Sequence, residues 1–201
     1  MLCAGLTTYA PLKRNNIGPG HKVAILGLGG LGHFAVMWTV ALGAEATVIS
    51  HTPSKRADAE KLGAKGFISS TEDADFPEKY KGVFDMIISA KDVVEDGFSI
   101  DPYLGMLKVH GKYWNVGIPD KELPAISPFA LVSTGAVIGG SHIGNRQECL
   151  EMLELAAKKG IKSWVEEIPV GEEGCKKAVE RLQANDVRYR FTLTGFDKVF
   201  E

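Results

Sequence analysis

The sequence contains few cysteines, no strong excess of one charge and no long apolar run. Cys3, Cys149 and Cys175 are the three cysteines among 201 residues. Such an odd, widely spaced set argues against a disulfide framework and indicates a reducing compartment, so we expect a cytoplasmic protein. The formal net charge of -2 lacks the basic excess of nucleic-acid-binding proteins. No segment approaches the roughly 20 consecutive apolar residues of a membrane span, and we expect no signal peptide. Neither nucleic acid nor a membrane is therefore an expected partner.

A glycine-rich turn near the start of the chain is the most informative feature that is present. Residues 23–26 form a short apolar run, Gly27, Gly29 and Gly32 follow with GxGxxG spacing, and a long apolar segment continues at helical periodicity. This order of strand, turn and helix suits a dinucleotide pyrophosphate, which binds against the glycines and the helix N-terminus. A purely structural turn is the alternative, because glycine-rich turns are common. The residues predicted to bind the cofactor here are Gly27, Gly29, Gly30, Leu31 and Gly32.

Apolar strands and helices alternate along the first 160 residues. The strands lack polar alternation, which is typical of strands buried on both faces. The pattern predicts an α/β fold with a doubly wound six-stranded parallel sheet, a Rossmann dinucleotide-binding fold, over residues 1–160. Residues 161–201 differ in character and are expected to form a short αβ tail. The predicted strands of the sheet are residues 23–27, 46–50, 66–69, 84–90, 112–117 and 136–140.

The end of the second predicted strand indicates which dinucleotide is bound. An NAD site places Asp or Glu about 20 residues after the glycine turn to bind the ribose 2′-hydroxyl, but no carboxylate follows this strand. Ser50, His51 and Thr52 can donate hydrogen bonds, and Lys55 and Arg56 supply two positive charges, which would favour a 2′-phosphate. The alternative is that both cations are solvated residues of a helix first turn, where acidic residues are more usual. We therefore predict NADP(H).

Several stretches occur in the order and spacing of one enzyme family. They are residues 2–11, 18–20, 27–32, 48–56 and 185–191. Together they resemble the zinc-dependent medium-chain alcohol dehydrogenases, and within them the NADP-dependent cinnamyl alcohol dehydrogenase branch. The resemblance covers essentially the whole chain. It implies an oxidoreductase that interconverts small primary alcohols and aldehydes by hydride transfer.

The same resemblance implies that the catalytic metal site is incomplete in this chain. Only Cys3 matches a zinc ligand of the family, and a catalytic zinc site needs three protein ligands plus water or substrate. From chemistry alone, Cys3 would be an ordinary small residue near a terminus. We expect the remaining ligands in an N-terminal catalytic domain outside this chain, no zinc bound here and no activity of this chain alone. Residues 161–201 would return to complete that GroES-like domain.

Further cofactor contacts follow from the resemblance, position by position. Ser50, His51, Thr52 and Lys55 fall where the branch binds the 2′-phosphate. Thr7 matches a threonine that lies against the nicotinamide ring, and Ser89 ends the fourth strand near the ribose. Arg188 matches an arginine that reaches back to the pyrophosphate, although without the resemblance it reads as an exposed strand residue. The positions that match segments meeting the carboxamide are Val116, Gly117, Ser141 and Ile143.

Three points remain open at this level. The resemblance implies a homodimer through the edge strand of the sheet, residues 135–141. One alternative function is a catalytically inactive NADP-binding module. Another is a zinc-free quinone or enoyl reductase of the same superfamily, but Cys3, within the sequence Leu-Cys-Ala-Gly, argues against it. His33 follows the glycine turn and could touch phosphate, but we favour a position on the helix surface.

Overall fold

The computed structural model describes residues 1–198 and divides into two compact units. The N-terminal unit comprises Met1–Ile161 and the C-terminal unit Lys162–Glu201, described to residue 198. Within the described residues, no helix is both long and apolar enough to cross a lipid bilayer.

The N-terminal unit contains a six-stranded sheet in which every neighbouring pair is parallel. The strand order is β3-β2-β1-β4-β5-β6, which is the order of the doubly wound dinucleotide-binding fold. The sheet prediction is therefore confirmed. The strands are β1 (Lys22–Leu26), β2 (Glu45–Ser50), β3 (Gly66–Ser69), β4 (Phe84–Ser89), β5 (Leu107–Asn115) and β6 (Val137–Gly140).

The helices of this unit form two groups around the sheet. Helix α1 contacts α2 and α7, whereas α5 contacts α4 and α6. The indole Nε1 of Trp38, on α2, donates a hydrogen bond of 2.9 Å to the carbonyl oxygen of Gly5 on α1. The helices are α1 (Leu2–Arg14), α2 (Gly32–Ala41), α3 (Arg56–Lys61), α4 (Phe76–Lys79), α5 (Asp101–Gly105), α6 (Pro128–Val132) and α7 (Arg146–Lys159), with a 3₁₀ turn at Pro53–Lys55.

The core of the sheet is apolar because its central strands are covered on both faces. Strand β1 is buried from Val23 to its end, and its four buried residues are all apolar. Strand β4 is buried at five of its six positions. A strand that lies between two helical layers has no solvent-facing side to carry polar residues. This explains why continuous apolar runs, and not alternating ones, predict these strands.

The C-terminal unit consists of β7 (Glu166–Pro169), α8 (Glu172–Gln183) and β8 (Phe191–Thr194), and a 3₁₀ turn follows. The two strands pair in parallel, beginning with Glu166 opposite Phe191. The sequence predicts a longer second strand that includes Arg188, and this is wrong. The backbone N–H of Arg188 donates instead to the Glu166 carboxylate at 2.6 Å, so the strand begins three residues later.

Candidate cofactor site

The carboxyl ends of five strands lie in register at one edge of the sheet. Leu26 is opposite Ile49 on one side and Ser89 on the other. Ser89 is opposite Asn115, and Asn115 is opposite Gly140. In doubly wound folds a ligand binds outside these ends, at the point where strand order reverses, which here lies between β1 and β4. Most of the residues predicted to bind cofactor follow directly after these strand ends.

The glycine loop after β1 has the geometry of a phosphate cradle. Gly27 adopts a left-handed φ of 92°, and its N–H donates to the Ile49 carbonyl oxygen at 2.9 Å. A Cβ atom at Gly29 would meet nothing within 4 Å, so the backbone there faces open space. A Cβ atom at Gly32 would overlap the Gly27 carbonyl oxygen, so only glycine fits where α2 begins. Gly30 and Leu31 complete the loop, and the first turn of α2 has no acidic residue to repel an anion.

The segment after β2 brings one cation to the glycine loop. Lys55 donates a hydrogen bond of 2.8 Å from Nζ to the carbonyl oxygen of Leu28 within that loop. Ser50 is half-buried at the end of β2, whereas His51 and Thr52 are exposed beside it. Thr52 does not cap the following turn through its side chain, and its Oγ1 instead lies 2.9 Å from the Ser54 hydroxyl. The arrangement leaves two exposed polar side chains and one ammonium group close to the end of β2.

The neighbouring cation, Arg56, is directed elsewhere. Its Nη2 donates to the Glu72 carboxylate at 2.8 Å, and its guanidinium lies 4.8 Å from the centre of the Phe67 ring. Both groups belong to β3 or to the loop that follows it. The structure therefore separates the two positive charges that the sequence places side by side.

A charged pair that the sequence analysis did not identify lies in the loop after β4. Lys91 Nζ donates to both carboxylate oxygens of Glu95, at 3.0 and 2.7 Å. These hydrogen bonds hold the pKa of Glu95 below its ordinary value. Residues 91–95 lie in an irregular loop, so no helical i, i+4 pattern could have indicated this pair.

The loops after β4 and β5 approach each other closely at the same edge. The Ser89 carbonyl oxygen accepts hydrogen bonds from the N–H groups of Val116 at 2.9 Å and Gly117 at 3.2 Å. A Cβ atom at Gly117 would overlap the carbonyl oxygen of Lys91, so this contact requires glycine. The structure thus brings together three of the predicted positions.

A second group of predicted positions meets between α1 and the loop that follows β6. The Ile143 N–H donates to the hydroxyl oxygen of Thr7 at 3.1 Å, and Thr7 is buried. The Ser141 N–H donates to the Asn115 carbonyl oxygen at 3.1 Å. Among the described residues, the buried Ser141 hydroxyl has no hydrogen-bond partner. An unpaired buried hydroxyl at a site edge fits a polar group of a ligand.

Two further expectations have different outcomes. His33 is fully buried on α2, with its Nδ1 3.1 Å from the Gly29 carbonyl oxygen, so the expected position on the helix surface is wrong. The pyrophosphate contact of Arg188 stays a prediction. Within the C-terminal unit, the Arg188 guanidinium lies 5.7 Å from the centre of the Tyr189 ring.

The described residues do not fit a zinc site. Cys3 is exposed on α1, and residues 1–198 contain no group of three or more His, Cys, Asp or Glu side chains that could hold a metal ion. A lone thiolate cannot supply the three protein ligands of a catalytic zinc. The residues at the carboxyl edge of the sheet, in contrast, fit a dinucleotide through the open Gly29 backbone and the unpaired Ser141 hydroxyl.

The fold and the glycine loop define a dinucleotide-binding protein of the doubly wound class. Residues 30–158 match the sequence profile of the family described as zinc-binding dehydrogenase. The chain belongs to this family, which confirms the resemblance inferred from the sequence.

Several relatives that match the chain are named as alcohol dehydrogenases. The chain is 44% identical to NADP-dependent alcohol dehydrogenase 6 of Saccharomyces cerevisiae, over 100% of this chain and 55% of that protein. It is 42% identical to the probable cinnamyl alcohol dehydrogenase 3 of Oryza sativa subsp. japonica, over 96% of this chain and 51% of that protein. The chain thus spans about half the length of the curated relatives it matches.

Solved structures give the same result. A cinnamyl alcohol dehydrogenase from Sorghum bicolor superposes with a TM-score of 0.86 at 36% identity, covering 94% of this chain and 52% of that one. The cinnamyl alcohol dehydrogenase of Helicobacter pylori complexed with NADP(H) superposes with a TM-score of 0.80 at 32% identity, with the same coverage. The family therefore consists of oxidoreductases, as predicted.

Proposed function

We propose that this chain is the cofactor-binding portion of an NADP-dependent, zinc-dependent alcohol dehydrogenase that interconverts primary alcohols and aldehydes. The Lys55 hydrogen bond to the glycine loop carries this proposal, because it puts an ammonium group beside the end of β2, where no carboxylate occurs. A 2′-phosphate is attracted by that charge, whereas an NAD site would use a carboxylate at this place. A yeast relative named NADP-dependent and a related structure complexed with NADP(H) support the same cofactor.

Each group of residues has its own part of the cofactor in this proposal. The N–H groups of the glycine loop and of the first turn of α2 bind the pyrophosphate. Ser50, His51, Thr52 and Lys55 surround the 2′-phosphate. When bound, the nicotinamide supplies or accepts the hydride. The residues proposed for the ribose and nicotinamide end are Thr7, Ser89, Val116, Gly117, Ser141 and Ile143.

The two compact units support assigning different functions to the two parts of the chain. We assign residues 1–160 to the NADP-binding domain and residues 161–201 to a segment that completes a catalytic domain, with Arg188 reaching the pyrophosphate. The division of the chain after Ile161 agrees with this assignment. Cys3 would act as a zinc ligand only together with ligands from outside this chain. Zinc therefore has no part in what the described residues do by themselves.

The edge of the sheet supports a homodimer. Strand β6 is an outer strand of the sheet, and Val137 on it is half exposed. Phe129 and Val132, on α6 shortly before β6, are mostly exposed although they are apolar. An outer strand with unpaired backbone groups can pair with a second copy across a two-fold axis. We further assign the protein to the cytoplasm, which agrees with its three free cysteines.

Titration calorimetry with NADPH and NADH tests the cofactor assignment. We expect NADPH to bind more tightly, and Lys55→Ala to weaken NADPH binding about 10- to 100-fold, because a charge-assisted hydrogen bond is lost, while NADH binding changes little. Arg56→Ala is the matched control, since its guanidinium is engaged by Glu72, and we expect it to leave both affinities nearly unchanged. The proposal would be falsified if NADPH and NADH bound with equal affinity and Lys55→Ala changed neither affinity.

A further inference from the structure

The loop of residues 141–144 is held between helices α1 and α7. Thr7, on α1, accepts the hydrogen bond from the Ile143 N–H. A Cβ atom at Gly144 would come within 2.8 Å of the Glu148 carboxylate and 3.0 Å of the Leu6 side chain. Gly144 therefore lies close against both helices, with little room for a side chain.

Glu148 joins both helices to the end of this loop. Its Oε1 accepts from Arg14 Nε at 2.6 Å, and its Oε2 accepts from Arg14 Nη2 at 2.7 Å and from the Asn145 N–H at 2.8 Å. The Asn145 side chain accepts from the Glu148 N–H in return, which completes a capping box. Glu148 is only 8% exposed, and a carboxylate with so little solvent depends on its partners. Arg14 and the Asn145 N–H hold the pKa of Glu148 below its ordinary value, so it is ionised at neutral pH.

The backbone of the loop requires such support. Ile143 adopts a left-handed φ of 57°, which is unfavourable for a β-branched residue. A conformation of this kind persists only where the surrounding structure enforces it. The Thr7 hydrogen bond acts on Ile143 itself, and the Glu148 hydrogen bonds act on Asn145, two residues later.

We propose that Arg14, Glu148 and Asn145 form a clamp that positions residues 141–144 against the nicotinamide end of the cofactor. The inference rests on the proposed function, since it presumes that NADP(H) binds at the carboxyl edge of the sheet. The three residues are positioning residues, because they act on the cofactor through the backbone of the loop. We therefore expect these residues to affect binding of the nicotinamide end of the cofactor and not of the 2′-phosphate end. Strand β6 lies four strands away from β2, and this separation is about 19 Å at the usual strand spacing.

This distance allows a direct test with two ligands. NADPH and 2′-phospho-ADP-ribose share the 2′-phosphate and the pyrophosphate, but the second lacks the nicotinamide. We expect Glu148→Gln to weaken NADPH binding about tenfold, as the loss of one charge-assisted hydrogen-bonded pair implies. Binding of 2′-phospho-ADP-ribose should stay within about twofold, because its contacts lie near β1 and β2. Arg14→Lys keeps the charge but loses the two-pronged geometry, and should give a smaller selective loss.

Glu151→Gln is the matched control. Lys13 and Glu151 form an ion pair of 3.1 Å between the same two helices, so removing it tests for a general loosening of the α1–α7 contact. We expect both ligands to bind this variant as they bind the unmodified protein. A thermal unfolding curve for each variant verifies that it is folded, and Arg14→Lys decides the matter if Glu148→Gln does not fold.

The outcomes separate the clamp from the proposed function. Selective loss of NADPH binding supports the clamp. An equal loss for both ligands, or no loss in either clamp variant, overturns the clamp but not the proposed function, provided that the unmodified protein binds NADPH. If the unmodified protein binds neither ligand, the proposed function fails, and the clamp fails with it.

Discussion

Gly29 and Gly32 are both glycines of one motif, but opposite constraints act on them. The position of a side chain at Gly29 is open space, and its φ lies outside the left-handed region. A side chain at Gly32 would instead overlap the backbone of Gly27. The space beside the Gly29 backbone is therefore open to a ligand, whereas the space beside Gly32 is occupied by the backbone of Gly27. In the proposed site, Gly29 leaves room for a ligand, whereas Gly32 is required by the packing of the loop on the helix.

This difference predicts two distinct variants. Gly29→Ala should leave the unfolding temperature unchanged or slightly raised, yet weaken NADPH binding at least about tenfold by keeping the phosphates from the backbone. Gly32→Ala should destabilise the protein by about 1–3 kcal/mol, because the loop and helix must separate. Thermal unfolding and NADPH titration of both variants provide the measurement. Unimpaired binding by a stable Gly29→Ala protein would contradict the cradle.

At this scale the sequence predicts residue types better than their partners. The absence of a carboxylate after β2 can be read directly, and it indicates the cofactor. The different contacts of Lys55 and Arg56 cannot be predicted from the sequence. The Arg56 guanidinium contacts Glu72 and Phe67, which only the fold brings near it. The full burial of His33 on α2 likewise cannot be read from its position after the glycine turn.

Whole elements follow the sequence where their ends carry local signals. Helix α7 begins after Asn145 and ends before Gly160, which adopts a left-handed φ of 66°. Both signals, the Asn145 cap and the glycine after the last turn, are visible in the sequence. Strand β8 begins later than predicted because the Glu166 side chain takes the Arg188 N–H. That partner lies 22 residues away, so no local pattern reports it.

The contact between α1 and α7 should depend on pH through Glu148. Arg14, and then the Asn145 N–H, lower its pKa from the ordinary 4.5. Because the folded pKa is depressed, the stabilisation is present above the unfolded value and is lost as the pH falls through the folded one. The Arg14 side chain is half exposed, and solvent screening reduces the contribution. We therefore expect Glu148→Gln to cost about 1–2 kcal/mol at pH 7.

Urea unfolding of both proteins over a range of pH measures this effect. The difference in unfolding free energy should shrink steadily in acid and vanish once Glu148 is protonated in the folded state. The exposed Lys13–Glu151 pair provides the comparison, and Glu151→Gln should change stability little at any pH. If the loss of unfolding free energy in Glu148→Gln were equally large in acid, the shape of the Glu148 side chain, and not its charge, would explain its contribution to stability.

At the scale of the molecule, the sequence predicts the parallel sheet because strands that are buried on both faces consist of consecutive apolar residues. The apolar runs do not predict which outer surface is covered, and only the family resemblance implies the edge strand. Strand β6 is short, lies at an edge and carries two glycines, so its pattern says little about what covers it. The exposed apolar side chains of α6 become apparent only when the chain is folded, since no predicted helix covers residues 128–132.

Pairing of two copies through β6 can be tested with a single charge. Val137 is 49% exposed on this strand, and Val137→Lys should convert a dimer to a monomer, because a charged lysine on an edge strand blocks pairing between copies. Sedimentation velocity over a range of concentrations measures the change. Circular dichroism should show an unchanged fold, since the Val137 side chain is half exposed in the single chain, whereas the unfolding temperature should fall with the loss of the partner copy. Val93→Lys is the control, for Val93 is 48% exposed in the loop after β4. If the unmodified protein sediments as a monomer at all concentrations, or if both variants remain dimeric, β6 is not the interface and the apolar surface of α6 must serve another partner.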